Sequence, residues 1–104
     1  MDELEKKLTL TVNHDGKTFT FRRPTVKQLI AADVLSAQMR GGLPINAMSY
    51  GYVYSNYAAE LNTYVVEPKD FDFSELYDDD IYEIHEEVAN WLNTFHKPVP
   101  ETKW

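Results

Sequence analysis

Apolar and polar residues alternate strictly over Leu8-Thr9-Leu10-Thr11-Val12 and again over Thr18-Phe19-Thr20-Phe21-Arg22. A period of two marks a strand with one buried face. Asp15-Gly16 between the two runs suits a two-residue type I′ turn, which pairs His14 with Lys17. Counting outward, Val12 falls opposite Phe19 and Leu10 opposite Phe21, with Thr11 and Thr20 on the other face. The pattern therefore predicts a hairpin over 8–22, with His14 exposed beside the turn.

The period then changes. In Arg22-Arg23-Pro24-Thr25-Val26-Lys27-Gln28-Leu29, the proline cannot donate to a continuing ladder and biases Arg23 toward extended backbone. Thr25 and Gln28 have the spacing of a capping box. A first helix is predicted over about 26–40, ended by Gly41-Gly42. Val26, Ile30, Val34 and Ala37 form its main apolar arc, edged by Leu29, while Leu35, Ala31 and Met39 lie well away from it. A helix apolar on more than one side is expected to be covered on more than one side. Asp33 falls within the arc and calls for a cationic partner, with Arg22 or Arg23 nearest along the chain.

A second helix is predicted over about 46–66, capped by Asn46 and stopped short of Pro68. Its stripe is Tyr50, Val53, Tyr54, Tyr57, Ala58, Leu61, Tyr64 and Val65, and Tyr52 stands apart as an aromatic on the polar side. The connection after Pro68 carries Phe71 and Phe73 as apolar anchors. Asp78-Asp79-Asp80 opens a third helix over about 79–96, with Glu83 placed to complete a capping box with Asp80. Ile81, Ile84, Val88, Trp91, Leu92 and Phe95 form its core face. Together these elements predict one α+β domain over 1–104, an N-terminal β-hairpin packed on a bundle of about three α-helices, with flexible ends at 1–6 and 97–104.

Composition refines this only in places. An apolar share of 43% with 13% aromatic is that of a folding chain. No run of about 18 apolar residues occurs, so no membrane span is expected, and the absence of cysteine excludes disulfides and thiolate metal sites. The net charge of −7 disfavours a nucleic-acid partner. The charge is also unevenly spread. Residues 1–40 hold seven Lys/Arg against five Asp/Glu, net +2, and residues 41–104 hold three against twelve, net −9. Basic and acidic ends of different copies can then meet, so a homo-oligomer is expected.

Catalytic and metal signatures fail on inspection. Asp70, Asp72 and Ser74 have the first spacings of an EF-hand loop, but Glu75 replaces the turn glycine and Ile81 the closing carboxylate. His85-Glu86-Glu87-Val88-Ala89 begins like a zincin helix and lacks its second histidine. No nucleophile elbow or phosphate-cradling glycine loop is present. No enzyme activity, cofactor or metal is expected.

The order of hairpin, basic-Pro-Thr cap, alanine-rich helix, second helix and aspartate-opened helix resembles the tail assembly chaperones of long-tailed bacteriophages. Phe19-Thr20-Phe21-Arg22-Arg23-Pro24-Thr25 with Leu29 and Ala31-Ala32-Asp33 carry the first part of that resemblance. Phe73, Leu76, Asp78-Asp79-Asp80-Ile81 and Val88-Ala89-Asn90-Trp91-Leu92 carry the second. Trp91-Leu92 stands where a Phe-Leu pair is expected. The resemblance covers residues 8 to 95 and implies a protein of the infected host's cytoplasm, not retained in the mature virion. It implies binding to the tape measure protein, a very long and largely helical chain, and recruitment of tail tube protein around it. Leu35, Met39 and Tyr52, with Trp104 at the end of the chain, are the candidate partner-binding residues. Two other readings remain: a head–tail connector or neck protein retained in the virion, and an acidic adaptor unrelated to phage.

Overall fold

A computed structural model describes residues 8–42 and 49–96. Among the described residues the fold is α+β: a three-stranded antiparallel sheet and three α-helices. Strand β1 is Thr9–His14 and β2 is Lys17–Arg22. Asp15 and Gly16 both have positive φ, as the type I′ turn requires. The pairing is His14 with Lys17, Val12 with Phe19 and Leu10 with Phe21, the register expected from turn and alternation together. Val12, Phe19 and Phe21 are buried on one face.

Helix α1 is Val26–Arg40. The Thr25 hydroxyl accepts from the Gln28 N–H at 3.3 Å, and the Gln28 side chain accepts from the Thr25 N–H at 2.9 Å. Gly41 closes the helix with positive φ. Helix α2 is Tyr50–Tyr64, capped by Ser49; the predicted cap Asn46 lies outside the described residues, as do the ends 1–6 and 97–104.

The predicted second helix ran through Val66, but the structure ends α2 at Tyr64. Val65–Glu67 instead forms a third strand, β3, antiparallel to β2, with Phe21 opposite Val65 and Thr20 opposite Glu67. β-Branched Val65 and Val66 just before Pro68 favour extended backbone. Three residues are too few to reveal a period, and the partner strand is more than forty residues away.

A 3-10 turn at Phe73–Glu75 follows. Asn62 ties it to α2, accepting from the Phe73 N–H at 2.7 Å and donating to Asp72 at 3.0 Å. Phe73 is thereby driven into the core, where it packs against Phe19, Phe21 and Phe71. Helix α3, Asp78–Asn93, lays Ile81, Ile84 and Val88 onto the same core. Its cap differs from expectation. Tyr77 precedes the helix without a side-chain hydrogen bond, and Asp80 lies inside the first turn, so no Asp80–Glu83 box forms. The Asp80 carboxylate reaches His14 instead.

Candidate functional site: the outward face of helix α1

Helix α1 packs chiefly on α2. Its buried residues are Ala32 and Ser36, small enough for the two helices to approach closely. At the contact the Ser36 hydroxyl bonds to the Asn56 side-chain oxygen, and Arg40 donates to the Ser36 oxygen at 2.9 Å. The Arg40 guanidinium lies 5.2 Å from the centroid of the Tyr52 ring. A polar knot of this kind holds one register between two helices, because slipping either would strand a buried hydroxyl.

With small and polar residues turned inward, the bulky ones turn outward. Val26 is 71% exposed, Ile30 60%, Val34 53% and Leu29 48%. The arc expected to be covered is therefore bare on this chain. Apolar side chains grouped on one exposed helix face have the pattern of an interaction surface. Beside it, a groove of about 780 Å³ runs between α1 and α2. Leu29, Ile30 and Val34 form its apolar wall; Asn56, Glu60 and Tyr64 face them from α2.

Asp33 sits in this groove, exposed. The ion pair expected with Arg22 or Arg23 is not formed: the Asp33 carboxylate has no hydrogen bond or ion pair among the described residues. Arg23 points elsewhere, its guanidinium 4.3 Å from the centroid of Phe95 at the end of α3. Burial, with the Glu60 and Asp33 carboxylates adding to it, pushes the Tyr64 phenol up to about 12. Glu60 also accepts from or pairs with His85 at 3.2 Å, and the His85 ring stacks on Tyr57 at 3.9 Å.

The sequence-derived site residues are dispersed. Leu35 is half-buried. Met39 is 37% exposed and lines a second groove with Tyr50, Tyr54 and Leu76. Tyr52 is half-buried beneath Arg40. Trp104 lies outside the described residues. Of the first three, Tyr52 alone reaches the groove beside the bare stripe, lining it with Arg40 and Asn56; Leu35 and Met39 lie away from it. The signal that marks the stripe was present in the chain: Ala32 and Ser36 opposite the apolar arc, matched by Ser55 and Asn56 on the next helix. Its meaning depends on which face α2 covers, and helical period alone does not decide that.

His14 also departs from expectation. It is half-buried, its Nε2 2.8 Å from Asp80, with Asp15 at 3.5 Å and Glu83 at 3.5 Å from the ring. The Asp80 hydrogen bond is the main cause that raises its pKa above the ordinary value of 6.5, with burial opposing. Among the described residues, His14, Asp15 and Asp80 are the group whose ligand atoms gather within 4.8 Å. Those atoms already serve the bond that ties the hairpin turn to α3.

Among the described residues no helix is long and apolar enough to cross a membrane. Comparison with known protein families, curated proteins and solved structures returns no match to this chain.

Proposed function

We propose that this protein is a tail assembly chaperone of a long-tailed bacteriophage or prophage, acting in the host cytoplasm without enzymatic activity. In this reading it binds the tape measure protein, keeps that chain soluble and helps recruit tail tube protein. The observation that carries the reading is the bare stripe of Val26, Leu29, Ile30 and Val34 on a helix whose inner face is small and polar. A holdase for a long helical client needs such a surface, and it needs little affinity per copy. Many copies along one client multiply weak contacts, so each stripe has only to cover a few turns. The uneven charge, net +2 over residues 1–40 and net −9 over 41–104, supports neighbouring copies meeting end to end.

Co-expression with a tape measure protein from the same genome tests this. The tape measure protein is expected in the soluble fraction with the wild-type chain and in the pellet with Val34→Asp, while Val34→Asp itself stays folded by circular dichroism. A tape measure protein that pellets with either chain overturns the reading. Mass spectrometry of purified virions separates it from the head–tail connector: a chaperone is absent from the particle.

A further inference from the structure

We infer that the α1–α2 groove receives an amphipathic helix carrying a lysine or arginine at the edge of its apolar stripe, and that Asp33 is the residue selecting that cation. The inference rests on reading the α1 face as the docking surface and names the chemistry of what docks there.

The groove favours a helical guest over an extended one. An extended peptide must satisfy its backbone N–H and C=O groups, which it does by joining a sheet edge. Side chains of two helices line this groove, so a guest whose backbone is already bonded internally suits it. From Leu29 to Arg40 is eleven residues, about 16 Å at 1.5 Å per residue, which matches three turns of a guest helix.

Charge indicates what the guest carries. Asp33 projects beside Ile30 and Val34 with no bonded partner among the described residues, and Glu60 stands across the groove. Arg40, the cation of the lining, is engaged by Ser36 and the Tyr52 ring two turns further along. In the free protein Asp33 is hydrated and costs nothing. Under a docked helix it loses water, and a guest without a facing cation leaves a buried charge unpaired. The chain's net charge of −7 attracts the same class of guest from a distance.

A second copy fits the stripe less well. Lys27 and Asp33 are six residues apart, which sets Lys27 on the edge beyond Val34 and Asp33 on the other side of the stripe, between Leu29 and Val26. A two-fold antiparallel helix pair brings like edges together, so Asp33 would face its own counterpart and Lys27 its own.

Two synthetic helical peptides of identical leucine-alanine stripe, one edged with lysine and one with glutamate, serve as probes in fluorescence anisotropy at physiological salt. The lysine-edged peptide is expected to bind at least about ten-fold more tightly. Asp33→Lys is expected to abolish or reverse the preference. Glu86→Lys, which alters net charge equally from an exposed position on α3, is expected to preserve it. Ile30→Asp is expected to lose the lysine-edged peptide. Equal erosion of the preference by Asp33→Lys and Glu86→Lys overturns the inference, as does failure of the lysine-edged peptide to bind. Sedimentation as a dimer that Ile30→Asp dissociates also overturns it, because a second copy then fills the site. Tape measure solubilised without any peptide preference removes the role of Asp33 and leaves the proposed function standing; a preference that persists while tape measure pellets does the reverse.

Discussion

Helices α1 and α3 differ in length by one residue and each carries several large aliphatic side chains. In α3 these are Ile81, Ile84 and Val88, all buried against Phe19, Phe21 and Phe73. In α1 the corresponding bulk at Val26, Ile30 and Val34 faces outward, and Ala32 and Ser36 are buried in its place. The difference lies in what each helix packs on. α3 meets the sheet and the aromatic cluster, which leave apolar volume to fill. α1 meets α2 across a hydroxyl–amide contact that admits only small side chains. One helix builds the domain, and the other packs on it through its small residues and leaves its apolar face exposed.

The largest effect that tests this contrast comes from making one chemical change in both places. Ile84→Ala is expected to lower unfolding stability by about 2–5 kcal/mol, since it removes three buried carbons and leaves a cavity. Ile30→Ala is expected to fall within about 0.5 kcal/mol of wild type, because an exposed isoleucine loses little on truncation and alanine favours helix. Urea denaturation of the two variants measures both. Similar losses would mean that α1 is covered in solution and would break the contrast.

A smaller effect sharpens it. Ser36→Ala leaves the Asn56 oxygen and the Arg40 guanidinium without their shared partner, at a cost of about 1–3 kcal/mol. The loss is expected to be local. Amide exchange in α1 quickens relative to α3, which keeps its own core contacts. Thr25→Ala, which removes the cap bond to Gln28, is expected to cost about 1 kcal/mol and to fray the same helix from its other end. Uniform acceleration across α1 and α3 in either variant would show that the two helices unfold as one unit.

How far the chain disclosed this arrangement depends on the range of the interaction involved. The hairpin register was readable because Asp15-Gly16 and the alternation of Val12, Phe19 and Phe21 act within fourteen residues and agree. The Thr25–Gln28 box was readable for the same reason. The core face of α3 followed from its single strong stripe. Long-range choices were hidden. β3 depends on a pairing with β2 across more than forty residues, and the Asp80 carboxylate gave up a local cap for His14, sixty-six positions away. The stripe on α1 was visible as a pattern, but its direction was set by Asn56 and Ser36 meeting, which requires knowing how α1 and α2 dock. The position of Asp33 in an apolar arc calls for a cation, yet Arg23 lies over the Phe95 ring, and the carboxylate stays exposed.

The smallest effect concerns the bond that joins the hairpin to α3 and has no equivalent at α1. His14 faces Asp80 and Glu83 from α3, Asp15 from its own turn, and Lys17 opposite it on β2. Three carboxylates outweigh the one ammonium, and the hydrogen bond to Asp80 holds the imidazolium in place, so its pKa rises above the ordinary 6.5. A group that binds its proton more tightly when folded stabilises the fold while it is protonated. The contribution is therefore full below pH 6.5, the unfolded value, and is lost as pH climbs through the higher folded value. The stability gap between wild type and His14→Gln is expected to be wider at pH 5.5 than at pH 8.5, and Asp80→Asn is expected to narrow it at the lower pH. Amide exchange in the first turn of α3 is expected to quicken with rising pH beyond the intrinsic base-catalysed rate, whereas α1 follows the intrinsic rate alone. A gap of constant width across that range would mean that the imidazole gains nothing from Asp80, and the hairpin would then be held to α3 by the shared apolar core.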